Sequence, residues 1–288
     1  MLCGIYGTSN LKERYSLTPA TRVNESLYQQ LFFGFMSRRY LLAATSWKTV
    51  QQIPYGVAIL PWGATEAHGY HLPYSTDNVQ VEYIATEAAR RAYEQGAYVV
   101  VLPCVPFGVQ TGQRDIQLCI NMNPSTQAAV LQDVAESLDV QGIHKLLILN
   151  GHGGNDFRQI IRELQPKTRV LLCTANWYQL ADRTEYFTEP GDHADELETS
   201  VMMYIAPALV RPLEEAGEGN TKRHRIRAMR EGKVWMPRPW RIVSHDTGVG
   251  SPHAASPEKG KAFVEAVVSY LAQFLVEFAA ADAANLYE

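Results

Sequence analysis

Residues 60–77, LPWGATEAHGYHLPYSTD, hold four carboxylate and imidazole side chains in one loop that Gly and Pro interrupt. These side chains belong to Glu66, His68, His71 and Asp77. Carboxylate oxygens and imidazole nitrogens are the ligands that zinc- and manganese-type ions prefer, and a catalytic site keeps a coordination position for water. The loop therefore indicates a metal site. The alternative interpretation is a polar surface loop that happens to carry two histidines.

A second stretch, LLILNGHGGND, carries His152 on a turn that follows an apolar run. Gly153 and Gly154 come next and let the backbone bend sharply before a predicted helix. A glycine-rich turn at a helix N-terminus can bind phosphate, but this one lacks both the P-loop lysine and GxGxxG spacing. We favour His152 as a metal ligand, with the glycines leaving room for substrate and offering N–H groups to an oxyanion.

A third stretch, GDHADELETS, has Glu198 five residues after His193, in the first turn of a predicted helix. Asp195 and Glu196 fit the ordinary preference for acidic residues at helix N-termini. One further carboxylate directed at a metal would complete a set of five donors: Glu66, His68, Asp77, His152 and Glu198. Five donors suit two adjacent ions when one carboxylate bridges them, and a two-metal centre is a common way to activate water for hydrolysis.

The elements that must position these residues alternate between strand and helix. Apolar runs at 57–60, 97–108, 145–150 and 169–176 are typical of strands buried on both faces. Helical patterns separate them, so the alternation predicts an α/β fold with a mainly parallel sheet covered on both faces. Ligands bind at the carboxyl ends of such strands, and the polar stretches lie there. This agreement between separate strands strengthens the metal-site interpretation.

The chain has 288 residues, enough for one large α/β domain or two small ones. We predict that residues 1–40 form an N-terminal extension, which packs on the body or on a neighbouring subunit. Residues 41–288 are predicted to form the main domain. Its last element is a long amphipathic helix over 261–281 that should lie on the sheet.

Composition excludes several classes of partner. A net charge of −4 and a pI near 6.1 argue against nucleic acid or an anionic membrane. Basic residues cluster only between Lys222 and Arg241, which we interpret as a solvated face or a subunit contact. Four cysteines without CxxC spacing favour a reducing cytoplasm. We find neither a secretion signal nor an apolar run near the roughly 18 residues of a membrane span.

Taken together, EAHGYHLPYSTD, NGHGGN and HADELETS resemble, in this order, the motifs of the creatininase (creatinine amidohydrolase) family over roughly residues 45–209. The resemblance implies a three-layer α/β/α sandwich and a ring-like homo-oligomer, often a hexamer. It implies a two-metal site with Zn²⁺, in which Mn²⁺ or Fe²⁺ can occupy one position. His193 becomes the general acid/base and Asp77 the bridging ligand. The implied metal ligands are Glu66, His68, Asp77, His152 and Glu198.

The chain departs from that pattern at two places. Creatininase proper has a glutamate ligand where this chain has Gly154, so Glu198 is expected to supply it. The substrate-side run TGQRDIQLCINMNPST also differs from many members. We therefore predict that Gln113 and Arg114 face a different substrate, together with Gly153, Gly154 and Trp177. His71 is left with a supporting role beside the ligands.

These observations predict a metal-dependent amidohydrolase that cleaves a cyclic or formamide-like amide of a small molecule with metal-activated water. His193 would pass a proton to the leaving nitrogen. Substrate identity does not transfer, since the family includes creatinine hydrolases, deformylases and a peptide-cleaving maturase. The alternatives are a hydrolase that cleaves a C–C bond in an inositol- or sugar-derived ring ketone, and a catalytically silent metal-binding protein.

Overall fold

The apolar runs of the sequence form a four-stranded sheet in which every strand is parallel to its neighbours. A computed structural model describes residues 38–287. The strands are β1 (Val57–Trp62), β2 (Val99–Val101), β3 (Lys145–Asn150) and β4 (Leu171–Asn176), and their spatial order is β2-β1-β3-β4. In this register Ile59 lies between Val101 on one side and Leu147 on the other.

Eight α-helices accompany the sheet in the part of the chain that the structure describes. In chain order they are α1 (Trp47–Val50), α2 (Thr76–Glu94), α3 (Pro124–Val140), α4 (Phe157–Leu164), α5 (Glu196–Ile205), α6 (Arg227–Arg230), α7 (Trp240–Val243) and α8 (Pro257–Ala280). Short 3₁₀ turns connect several of them.

The two faces of the sheet have separate apolar cores. Val57 and Ile59 of β1 pack with buried residues of α2, α5 and α8 on one face. Ala58 and Leu60, which alternate with them along the strand, pack with α3 and α4 on the other. The predicted three-layer α/β/α architecture with a parallel sheet is thus confirmed.

Two boundaries differ from the prediction in ways that affect the site. Helix α2 begins at Thr76, three residues earlier than its apolar pattern indicates, so Asp77 lies in its first turn. Strand β2 is only three residues long, because Pro103 has no N–H with which to continue the ladder. The chain between β2 and α3 is therefore an irregular loop, which reaches the carboxyl edge of the sheet.

Helix α8 corrects one expectation. By length and composition it is apolar enough to cross a membrane, although the sequence analysis found no run of that kind. Nine of its residues are buried, and it packs against α2 and α5. That is the position of a core helix in a globular protein.

The predicted extension, residues 1–40, lies outside the described residues except for its last three. Its packing on the body or on another subunit stays a prediction.

Candidate metal centre

Six side chains that the sequence singles out meet at the carboxyl edge of the sheet. Glu66 and His68 come from the loop after β1, and His152 follows the end of β3 by two residues. Asp77 lies in the first turn of α2. The segment leading into α5 supplies the remaining two, His193 and Glu198. Loops after neighbouring parallel strands open at the same edge, so residues far apart in the chain come together.

The cluster is organised as two groups that share Asp77. In one group, His152 Nδ1 lies 2.9 Å from Glu66 Oε1 and 3.0 Å from Asp77 Oδ2. In the other, His68 Nε2 lies 3.0 Å from Asp77 Oδ1 and 3.8 Å from Glu198 Oε1. Each oxygen of Asp77 therefore faces a different imidazole, and each group could hold one metal ion.

Burial and hydrogen bonding make the donor set fit divalent ions. Glu66, His68 and Asp77 are each at most 1% exposed. Glu66 Oε1, His68 Nε2 and Asp77 Oδ2 each lie within 3.0 Å of an imidazole or carboxylate partner, but none of the three is aligned for a hydrogen bond within the described structure. Leaving a buried polar atom without a partner costs about 1–3 kcal/mol. Cations bound in the two groups would satisfy all three atoms.

Main-chain carbonyls fix the three imidazoles of the cluster. His152 donates from Nε2 to Val109 O at 2.9 Å, and His193 donates from Nε2 to Ala67 O at 2.8 Å. His68 donates from Nδ1 to Glu66 O at 3.2 Å. Each ring therefore turns its other nitrogen toward the carboxylates, the nitrogen through which metal-binding histidines coordinate.

Charge within the cluster shifts the pKa of its members strongly. Burial alone would lower the pKa of His68, but the charges of Asp77 and Glu198 raise it well above its ordinary value. Burial opposes the charges of Glu66 and Asp77 at His152 in the same way, and the pKa again rises. Without an ion, protons on the imidazoles balance the carboxylates. A metal that binds here must displace them.

An amide network supports the turn that carries His152. Asn150 Oδ1 accepts hydrogen bonds from His152 N at 3.1 Å and from Asn155 Nδ2 at 2.9 Å. Asn155 Oδ1 in turn accepts from Val109 N at 2.9 Å and from Gln127 Nε2 at 2.8 Å. The two asparagines of NGHGGN therefore brace the ligand turn, a role that sequence reasoning missed although the motif contains both.

A left-handed residue supports Glu198. Ala194 has φ 49°, which is uncommon outside glycine, and its N–H donates to Glu198 Oε2 at 2.5 Å. Asp195 caps α5 by accepting from Glu198 N at 3.1 Å. Glu196 forms an ion pair with Lys259. The capping interpretation of Asp195 is confirmed, and Glu196 does not belong to the cluster.

Three residues predicted to contact substrate lie elsewhere. Gln113 is fully buried and donates from Nε2 to Glu66 Oε2 at 2.5 Å. Arg114 borders a separate depression next to Asp115 and Arg241. Trp177 is 1% exposed and packs edge-on against Phe263 in the core. Local sequence gave residue types that suit a pocket, but the direction of these side chains depends on the tertiary fold.

Gly153 and Gly154 do line the cavity beside the cluster. Their N–H groups donate to no other described residue. A Cβ on Gly154 would lie 2.1 Å from Val109 O and 2.5 Å from His152 Nε2, whereas a Cβ on Gly153 would meet only Tyr178 Oη at 4.0 Å. The glycines therefore bring backbone close to the cluster, and only Gly154 needs to lack a side chain.

The cavity has a volume of about 1570 Å³. Much of its outer wall is the segment 221–243, here called the basic loop. Within it, Trp240 packs edge-on against the His193 ring with 4.6 Å between centroids. The sequence interpretation of these basic residues as a solvated face or a subunit contact missed their position beside the cluster.

His71, for which the sequence predicted a supporting role, lies apart from the two groups. It is 2% exposed, and its Nε2 lies 2.8 Å from Thr199 Oγ1. Burial, followed by the charge of His68, lowers the pKa of His71 to about 4. His71 is therefore a neutral residue of the structural layer beneath the cluster.

A model of the creatininase family, described as creatinine amidohydrolase, matches residues 43–275. The chain belongs to the creatininase family. Two relatives of this creatininase-family protein are named for different activities. The mycofactocin precursor peptide peptidase of Mycobacterium tuberculosis is 26% identical over 221 residues, 73% of this chain and 80% of its own length. The creatinine amidohydrolase of Pseudomonas putida is 24% identical over 267 residues, 84% of this chain and 98% of its own length.

Solved structures of creatininases agree with the fold. A candidate creatinine amidohydrolase from Bacteroides fragilis is 43% identical, with a TM-score of 0.83 over 88% of this chain and 100% of that one. Two further creatininase structures, each 21% identical and covering 84% of this chain and 99% of their own, have TM-scores of 0.68 and 0.69. The first is a mutant of Zn-Zn type, and the second is described as creatininase Mn. The chain is therefore a hydrolase by family, with residues able to bind metal.

Proposed function

We propose that the protein is a two-metal hydrolase that cleaves a C–N amide bond. The observation that carries the proposal is the buried cluster in which Glu66 Oε1, His68 Nε2 and Asp77 Oδ2 make no hydrogen bond. These atoms lie within 3.0 Å of their imidazole and carboxylate neighbours without hydrogen-bond alignment, whereas a cluster kept for stability alone would align them. Membership of a family whose relatives include a peptidase and an amidohydrolase supports hydrolysis as the reaction.

Glu66, Asp77 and His152 would hold one ion, and His68, Asp77 and Glu198 would hold the other. Such a pair of ions lowers the pKa of a water molecule and polarises a carbonyl group. We propose zinc for at least one position, and Mn²⁺ or Fe²⁺ suits the same oxygen and nitrogen ligands. Related creatininase structures of Zn-Zn type and with Mn support zinc and manganese.

His193 is proposed as the residue that moves the proton. Its Nε2–H is held by Ala67 O at 2.8 Å, so Nδ1 is the free acceptor, and it lies 3.8 Å from Glu66 Oε1. From there Nδ1 can take a proton from the attacking water and return it to the departing nitrogen. Trp240 covers one side of the ring and limits the access of bulk water to it.

The backbone of the glycine turn is proposed to bind the oxyanion. The N–H groups of Gly153 and Gly154 have no partner among the described residues, and both residues border the cavity. Preorganised N–H donors of this kind stabilise the charge that develops on a carbonyl oxygen.

The identity of the amide is the finer part of the proposal. A cyclic or formamide-like amide is the first candidate. A peptide bond is the second, because a cavity of about 1570 Å³ exceeds the roughly 300–1,000 Å³ of ordinary small-molecule sites. The ring-ketone hydrolase and the silent metal-binding protein stay the rivals. Cytoplasmic location, independence of nucleic acid and membrane, and a homo-oligomer, possibly a hexamer, stay predictions.

Metal analysis of the purified protein tests the centre. We expect about two ions per chain, a loss of both metal and turnover in His152→Ala, and no change in His144→Ala, whose side chain is half-exposed beside Asp139. Protein without bound metal after loading with zinc and manganese would overturn the proposal. Screening creatinine, N-formyl amino acids, short peptides and inositol-derived ketones then separates amide hydrolysis from its rivals.

A further inference from the structure

The basic loop has a charge unlike that of the rest of the chain. Residues 221–243 contain eight Lys and Arg side chains and one carboxylate, that of Glu231, in a protein whose formal net charge is −4. The two ends of the loop are joined, because Lys222 N donates to Val243 O at 2.8 Å and Thr221 bridges to Ser244. The loop is therefore a closed structure of its own.

Three contacts hold the basic loop against the candidate metal centre. Arg238 forms a bidentate ion pair with Asp192, at 3.0 Å and 2.7 Å. Trp240 packs on His193. Gly112 approaches the Arg238 carbonyl so closely that a Cβ would lie 1.9 Å from its oxygen. These contacts fix which side of the loop faces the cavity.

Four cations of the loop line the cavity without a carboxylate partner. Lys222, Arg223 and Arg225 make no ion pair among the described residues, and all three are exposed. Arg230 also lines the cavity, and its guanidinium donates only to the carbonyls of His224 and Arg225, at 2.9 Å and 2.7 Å.

The acidic residues of the cavity are already engaged. Asp192 pairs with Arg238, and Asp195 pairs with Arg183 at 2.8 Å. The remaining carboxylates that line it, those of Glu66, Asp77 and Glu198, are the proposed metal ligands. Bound divalent ions would more than balance them, so the cavity has an excess of positive charge at its outer wall.

We infer that the substrate carries a carboxylate group remote from the scissile amide, which binds Lys222, Arg223 and Arg225 while the amide lies at the metal centre. This inference rests on the proposed function. It names the class of substrate as acidic: an amide, cyclic or open, of an acidic molecule or of an acidic peptide. Exposed Trp235 and Met236 of the same wall offer apolar contact to the chain between the two groups.

A series of hydroxamic acids tests the inference. Hydroxamates bind divalent metal ions, so the monohydroxamates of succinic through suberic acid would anchor at the centre and extend a terminal carboxylate by increasing lengths. The matched compounds end in a carboxamide. In calorimetric titrations of the zinc-loaded full chain, we expect the best carboxylate to bind roughly tenfold more tightly than its carboxamide, because charge-assisted hydrogen bonds exceed neutral ones.

Two triple variants with the same change in charge distinguish the effect of the cations that line the cavity from the effect of the overall charge of the basic loop. Lys222→Gln, Arg223→Gln and Arg225→Gln together should abolish the carboxylate preference. Arg227→Gln, Lys233→Gln and Arg241→Gln together should keep it, because none of the three lines the cavity. Binding of the carboxamide compounds should be the same in wild type and both variants.

The outcomes distinguish this inference from the proposed function. Carboxamides that bind with no carboxylate preference at any length would overturn the acidic substrate and leave the metal centre standing. Equal loss of preference in both variants would also overturn it, since only the overall charge would then matter. A change in oligomer size in the first variant with the preference intact would assign the loop to subunit contact instead. Failure of every hydroxamate to bind would reject the metal centre, and the inference with it.

Discussion

Gln113 donates a hydrogen bond from Nε2 to Glu66 Oε2 at 2.5 Å, and both side chains are buried. The second oxygen of the same carboxylate, Glu66 Oε1, lies 2.9 Å from His152 Nδ1. Cys119 Sγ contacts Gln113 Oε1 at 3.2 Å, so the amide is held from its far side as well. Gln113 therefore acts as a positioning residue, which orients one candidate ligand without contacting substrate.

Replacing Gln113 should weaken metal binding. We expect Gln113→Ala to lower the affinity for zinc roughly 10- to 100-fold, because partners behind a ligand commonly contribute that much. Competition with a chromophoric chelator measures the affinity. Arg114→Gln is the matched control, since Arg114 is exposed and lies outside the cavity. Wild-type affinity in Gln113→Ala would contradict the positioning role.

The two glycines of the ligand turn should differ in their tolerance of a methyl group. Gly154→Ala would push a Cβ against Val109 O and His152 Nε2, which breaks the bond that orients the ring. We expect zinc affinity to fall at least tenfold, in the range of other losses of ligand support. Gly153→Ala meets nothing nearer than 4.0 Å and should bind zinc normally. Equal affinities in the two variants would show that the close approach does not matter.

Variants of Glu198 and Glu196 should differ in metal stoichiometry, because Glu198 is a proposed ligand and Glu196 has a structural role. Glu198→Gln should reduce the stoichiometry from about two ions to about one per chain, because only one group contains Glu198. Plasma emission spectroscopy on dialysed protein gives this count.

Glu196→Gln is the comparison. Its carboxylate accepts from Thr188 N at 2.9 Å and Glu189 N at 2.7 Å and pairs with Lys259. That variant should melt at a lower temperature and still bind both ions. The assignment of Glu198 fails if the two variants bind the same number of ions.

His71 should make the metal-free protein less stable in weak acid. Its folded pKa, about 4, lies below the ordinary histidine pKa of 6.5, so the unfolded chain binds one more proton than the folded chain between these pH values. The free energy of unfolding then falls as the pH decreases from 6.5 towards 4. His71→Gln should show a shallower decline in urea titrations across this range. An identical slope in both proteins would mean that His71 is not held neutral.

The sequence predicted where the candidate ligands cluster, because their positions relative to strand ends and helix starts can be recognised from short stretches of sequence. Each cluster residue follows a strand end or begins a helix, and strand ends of a parallel sheet share one edge. The capping role of Asp195 followed from the same kind of local pattern, whereas the neutral state of His71 was not predicted. The edge of the sheet at which the candidate ligands lie could therefore be predicted from the sequence alone.

The residues that line the cavity were harder to predict from the sequence, because the direction of their side chains depends on long-range packing. Gln113 and Arg114 are adjacent in the chain, yet one is buried behind Glu66 and the other lies on the outside. Trp177 follows a strand end as the pattern requires but turns into the core towards Phe263, which is 86 residues away in sequence. The basic loop has no regular periodicity, so only its contacts through Arg238 and Trp240 revealed that it borders the cavity.

The imidazoles of the centre are held by carbonyls of residues 66, 67 and 109, and these acceptors belong to the main chain. Replacement of the side chain at 67 or 109 leaves its carbonyl in place. The outer wall comes instead from one loop whose ends meet at Thr221 and Ser244. The residues that hold the imidazoles and the exposed cations of the basic loop thus come from different segments of the chain, so Lys222, Arg223 and Arg225 can be varied while Trp240 and Arg238 keep their contacts with His193 and Asp192.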